Sequence, residues 1–87
     1  AEAWNKRATV LYLMGNYELS QKDIDVVLSL EKRHFGALAG QGMVQTKLKN
    51  YEKALESYIE VHKIYPAMKS PIIMMQELQE LIHKESI

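Results

Sequence analysis

Gly15-Asn16-Tyr17-Glu18-Leu19-Ser20 and Lys49-Asn50-Tyr51-Glu52-Lys53-Ala54 are one segment written twice, with Tyr17 and Tyr51 standing 34 residues apart. A period of that length belongs to stacked helical hairpins, units that cannot bury an apolar face alone and pack on their neighbours to do so. A chain organised by a packing repeat is expected to work by offering a surface, so the search is for a groove before a catalytic centre.

Apolar periodicity places the helices. Trp4, Ala8 and Leu11, with Val10 and Met14, recur at helical spacing until Gly15-Asn16 breaks the pattern, which predicts a first helix over Glu2–Met14. Ile24, Val27 and Leu28 oppose Lys22, Asp25 and Ser29 on a second helix, Tyr17–Leu30. The second copy predicts helices over Phe35–Leu48 and Tyr51–Ile64, closed by Pro66. Ser70 as N-cap and Pro71 at the first helical position open a fifth helix, with Ile72, Met75, Leu78, Leu81 and Ile82 as its stripe. The same step aligns Trp4 with Leu38 and Ile72, and Val10 with Val44 and Leu78. The fifth helix is therefore half a third unit, and its polar back (Gln76, Glu77, Gln79, Glu80, Lys84) suits a C-terminal cap. The expected organisation is one domain of two units, 1–34 and 35–68, capped by 69–87.

Composition excludes several classes. With 47% hydrophobic residues, 25% charged and a formal net charge of zero, the chain is neither disordered nor a basic nucleic-acid binder. At 87 residues its core is small. No cysteine is present for disulfides or thiolate metal sites, which fits a reducing cytoplasm and a cysteine-avoiding exported protein alike. Val10 to Met14, the longest apolar stretch, falls far short of a membrane span, and no signal-peptide pattern opens the chain. A soluble segment without membrane insertion is expected, its compartment open. His34, His62 and His83 share no spacing that sets two imidazoles on one helical face. His34 stands at the turn entering the third helix, where a polar capping or loop role is expected ahead of catalysis. With no nucleophile–base motif and no phosphate loop, no catalytic residue, cofactor or metal is expected.

These residues resemble the tetratricopeptide repeat across the whole chain. The pattern falls on Trp4, Ala8, Gly15, Tyr17, Leu28 and Leu30, then on Gly42, Tyr51, Ala54, Tyr58 and Pro66. Departures are Arg7 and Gln41 where the family puts leucine, Ser20 for alanine and Lys32 for the closing proline. The runs Ala1 to Thr9 and Arg33 to Gly40 are also similar to a bacterial subgroup, which implies a bacterial cytoplasm or periplasm. The resemblance implies an all-α fold, antiparallel helix-turn-helix repeats in a short right-handed α-solenoid of five helices. It further implies a concave groove that holds a peptide or helix of a protein partner. Its groove positions fall here on Glu2, Asn5, Lys6, Thr9 and Tyr12, then on Gly36, Ala39, Gly40, Met43 and Thr46. Of the lysine, arginine and asparagine that grip a C-terminal carboxylate in one specialised version, only Asn5 and Lys6 remain.

Phe35 to Thr46 carries no charge, so the groove floor is expected to be flat and apolar. Each glycine in that helix costs about 1 kcal/mol against alanine. Gly42 is explained by helix packing. Gly36 and Gly40 are open to two explanations, packing or the close approach of a partner backbone. Met43 suits core filling or an adaptable groove, and among the tyrosines Tyr12 faces the groove and is a candidate anchor. The glutamates and lysines around Lys47 to Glu60 read as a solvated face. Arg7, among apolar neighbours, is expected to pair with Asp23 or Asp25.

Two functions fit: a non-catalytic scaffold binding a peptide or helix in the groove, or an assembly element packing on copies of itself or on neighbouring repeats. An array needs polar caps, whereas the chain opens at the first position of a repeat and Val10 to Met14 is apolar almost all round. The first helix is therefore expected to expose an apolar strip that invites a homodimer.

Overall fold

The computed structural model describes residues 1–86; Ile87, part of the predicted capping segment, lies outside them. Its five helices are α1 (Glu2–Leu13), α2 (Tyr17–Leu30), α3 (Phe35–Lys47), α4 (Tyr51–Ile64) and α5 (Ser70–Ser86). Each packs on its successor and α1 also reaches α3, so two hairpins stack and α5 lies against the second.

The two hairpin turns are built alike. The Gly15 amide donates to the Tyr12 carbonyl (3.0 Å) and that of Asn16 to Leu11 (2.8 Å), while Lys49 donates to Thr46 (3.1 Å) and Asn50 to Gln45 (2.9 Å). This paired closure satisfies carbonyls that a helix end leaves open, and it needs a left-handed residue in the middle. Gly15 (φ 83°) and Lys49 (φ 64°) supply it. Glycine adopts that conformation freely, whereas a β-carbon there costs on the order of 1–2 kcal/mol.

Predicted helix ends move slightly. Met14 and Leu48 are caps just beyond α1 and α3. Ser70 is the first residue of α5 rather than its cap, because the Ile73 amide donates to the Lys69 carbonyl at 3.1 Å. Pro71 thereby moves one place into the first turn, where a missing N–H still breaks no helical bond.

Positions related by the repeat exchange volume. The first hairpin pairs Ala8 with Ile24, both buried; the second has Gly42 and Tyr58 in their places. A methyl group on Gly42 would lie 2.6 Å from Tyr58 Cζ, so the larger ring requires the bare α-carbon. Ser20, fully buried where the family has alanine, donates from Oγ to the Ala8 carbonyl at 2.6 Å. Ala8, Ile24, Val27, Ala37 and Val44 form one core, and Ala54, Tyr58 and Leu78 a second beneath α5.

Arg7 finds Asp23, with Nε and Nη2 each donating at 2.7 Å, and its guanidinium lies 4.7 Å from the centre of the Trp4 ring. Burial is shared unequally. The Arg7 side chain is 61% exposed and that of Asp23 6%, because the long stem carries its charge out to water while the short carboxylate stays beneath it. Hydrogen bonds from Arg7 hold the Asp23 carboxyl below the usual aspartate range, against the opposing effect of burial.

Two outcomes follow for stability. Lys49→Gly relieves the second turn and is expected to raise the unfolding free energy by about 1 kcal/mol, read by urea titration; an unchanged midpoint would show that the lysine is not strained. A carboxylate whose folded pKa is lowered contributes stability above its unfolded value and loses it as pH falls through the folded one. Between about pH 4 and that lower value, the parent chain should lose stability more steeply than Asp23→Asn, and parallel acid limbs would sink the assignment.

Candidate functional site

The uncharged run of α3 lies in the middle of the stack, backed by α2 and α4 and approached by α1. Its remaining face looks into a concavity with two halves. In the inner half, Asn5, Thr9 and Tyr12 of α1 oppose Gly36, Ala39, Gly40 and Met43. The outer half runs between α3 and the start of α5, where Tyr12, Ala39, Met43 and Thr46 meet Phe35, Tyr58, Val61, Met68, Ser70, Pro71 and Met74. Shared Tyr12, Ala39 and Met43 make the two one groove.

Eight of the expected groove residues thus line one surface: Asn5, Thr9, Tyr12, Gly36, Ala39, Gly40, Met43 and Thr46. Glu2 and Lys6 do not line it. Lys6 is exposed, and Glu2 is engaged at the groove's end by His34, whose Nε2 lies 2.7 Å from Glu2 Oε1. His34 Nδ1 accepts the Ala37 amide at 3.0 Å, so the ring carries its proton on Nε2 and donates to Glu2. One nearly buried imidazole therefore caps α3 and ties α1 to it. That hydrogen bond is the main reason the Glu2 carboxyl sits below the usual glutamate range.

The glycines separate by their surroundings. A methyl on Gly36 would meet Asn5 Nδ2 at 3.0 Å and His34 Cε1 at 3.2 Å, so the approach of α1 and the cap already crowds that position. A methyl on Gly40 would meet only Ile24 Cδ1, at 3.6 Å, an ordinary contact. Packing within this chain accommodates alanine at that point.

The groove is electrically quiet. Among the described residues Lys47 is the one charged side chain lining either half, and burial pushes the Tyr58 hydroxyl up to about 12, so it stays neutral. The inner half, about 140 Å³, is smaller than the roughly 300–1,000 Å³ typical of sites enclosing a drug-sized ligand. No group of three histidine, aspartate or glutamate side chains is placed to hold a metal ion among the described residues. Thr9 and Thr46 turn their hydroxyls back to the Asn5 and Gly42 carbonyls, leaving methyl groups for the surface.

Phe35, Tyr58, Val61, Met68, Ser70, Pro71 and Met74 were not among the expected groove residues. Part of that wall was accessible from the repeat. Carrying Glu2 and Lys6 through Gly36 and Gly40 by one further step reaches Ser70 and Met74. Phe35 carries no such signal; its ring is seated edge-on against Tyr65, 4.9 Å between centres, across the end of the second hairpin.

No protein-family profile matches the chain. A TPR repeat-containing protein of Rhizobium etli is 45% identical over 67 residues, which make up 77% of this chain and 33% of that protein. Tetratricopeptide repeat protein 12 of Mus musculus is 27% identical over 95% of this chain and 13% of its own length. The chain spans a third or less of these curated relatives.

Gly42, explained by packing, and Gly40, which is not, allow a direct comparison. Gly42→Ala is expected to lose about 1–3 kcal/mol through overpacking against Tyr58. Gly40→Ala should instead gain up to about 1 kcal/mol from helix propensity. Urea unfolding of both variants reads the difference, and a destabilised Gly40→Ala would return that residue to ordinary packing.

Proposed function

The chain belongs to the tetratricopeptide-repeat family, and from that premise we propose that it is a non-catalytic protein-interaction module holding a peptide or helix of a partner protein against α3. Gly40 carries this reading. It sits mid-helix at a cost of about 1 kcal/mol, in a position where alanine fits, on the floor of an uncharged groove. A partner backbone or broad side chain lying on α3 supplies a reason for the bare surface that packing does not.

The remaining lining suits such an occupant. Tyr12 offers a large, stiff contact at the junction of the two halves. Met43, Met68 and Met74 can adjust to the occupant's shape, and Asn5 brings an amide to the edge. Zero net charge and an uncharged floor favour an apolar peptide over a phosphate backbone.

A second reading, an assembly element packing on a copy of itself or on neighbouring repeats, is favoured by the first hairpin. Val10 is 53%, Leu13 77% and Met14 67% exposed, a density of apolar surface that marks a contact region.

Peptides selected on the parent chain from a random twelve-residue display library provide the probe for the groove. Their NMR shifts should map to Tyr12, Ala39, Gly40 and Met43, and Gly40→Leu should weaken binding at least about tenfold, or 1.4 kcal/mol, with helicity unchanged. Peptides that bind Gly40→Leu as tightly as the parent would overturn the groove reading.

A further inference from the structure

We infer that the outer face of the first hairpin docks a further helical hairpin that sets a carboxylate against Arg7. The inference rests on the assembly reading and specifies its partner.

The molecule contains its own comparison. Trp4, Arg7, Val10 and Met14 correspond, one repeat on, to Leu38, Gln41, Val44 and Leu48. Leu38 and Val44 are 7% and 1% exposed beneath the first hairpin, whereas Trp4 and Val10 are 39% and 53% exposed. The same face is covered in one copy and open in the other.

The chemistry inside the covered junction shows what the open one requires. Gln41 Nε2 donates within its own hairpin to Ser57 Oγ at 2.8 Å, and its Oε1 accepts from Gln21 of the hairpin above at 2.9 Å. Arg7 and Asp23 are the repeat equivalents of Gln41 and Ser57, and they make the corresponding internal bond. At the next junction the equivalents of Gln21 and Gln41 are Leu55 and Met75, which pack against one apolar cluster. Each junction therefore matches its two residues in kind, amide with amide and apolar with apolar. Gln41 kept a carbonyl oxygen for its neighbour. Arg7 has only N–H donors to offer, so the residue above it must accept, and a carboxylate matches a guanidinium best.

A second copy of this chain is a poor occupant. In the copy, Gln21 is already bonded to Gln41 and Gln45. The outer face of α5 shows Gln76, Gln79, Glu80, His83 and Lys84, and its exposed apolar residues Ile72 and Ile73 sit together in the first turn, so among the described residues no apolar run extends along the helix to cover Val10 and Met14. A symmetric face-to-face pair sets an arginine on each side of one interface, like charge against like.

The test extends the full chain by a copy of residues 1–34 fused ahead of Ala1, so that position 21 of the added hairpin overlies Arg7. That position is made Glu, Gln or Lys, in the parent background and in Arg7→Gln/Asp23→Ser, which reproduces the Gln41/Ser57 pair. Local effects within the added hairpin cancel between backgrounds. The gap in Tm between the Glu and Lys forms should be wider in the parent background, by on the order of 5 °C. Equal gaps in the two backgrounds overturn the carboxylate assignment, while a rise in Tm over the unextended chain for every added residue would still uphold the assembly reading. Light scattering on the unextended chain supplies a check that needs no variant. A constant monomer mass agrees with the inference, and a dimer that Val10→Lys dissolves would give the face to a second copy and refute it.

Discussion

The ring of Tyr58 lying against the bare α-carbon of Gly42 sets the spacing of α3 and α4, and much of the remaining structure follows from it. Interiors pack at crystal-like density, so a change of one methylene at such a contact must be met across from it. The first hairpin meets the same demand with a smaller pair, Ala8 and Ile24. The larger ring does more than fill space. Tyr58 forms the second core with Ala54 and Leu78, which anchors α5, and it also borders the outer groove. One contact thus couples the hairpin, the terminal helix and the proposed binding surface.

Polar groups are concentrated at the junction between hairpins. Ser57, Gln41, Gln21, Gln45 and Asn50 form a continuous hydrogen-bonded chain across α2, α3 and α4. A satisfied polar chain anchored on buried Gln45 and Ser57 penalises any shift of register, because each displaced group loses its partner. The next junction is apolar, with Leu55, Met74 and Met75 against the Tyr58 cluster. The inner groove therefore rests on a junction held by directional bonds, and the outer groove on adaptable thioethers. That difference suits a floor that sets position and a wall that accommodates an occupant.

Charge is kept to the margins of the same surface. His34 uses one ring nitrogen to cap α3 and the other to hold Glu2, which takes a carboxylate out of the groove and ties α1 down at its end. Arg7 and Asp23 satisfy one another on the opposite side of the first hairpin. Two surfaces of different character result, a concave one with Lys47 at its lining and an outer apolar one that carries an ion pair.

The 34-residue echo of Tyr17 in Tyr51 and the helical spacing of apolar residues by themselves determined the five helices and their order. They also placed both turns and the small residue at Gly42, since these depend on local conformation and on which face of each helix is apolar. The ten expected groove positions came from the family resemblance, and eight of them line one groove. Tertiary structure alone decided that Asp23 rather than Asp25 meets Arg7, and that the aspartate is the buried partner. It also separated crowded Gly36 from roomy Gly40 and brought Tyr58 and Val61 into the outer wall. Periodicity reports the direction in which a side chain leaves its own helix. How far it reaches and what it meets depend on side-chain volumes summed across several helices, and no stretch of sequence contains that sum.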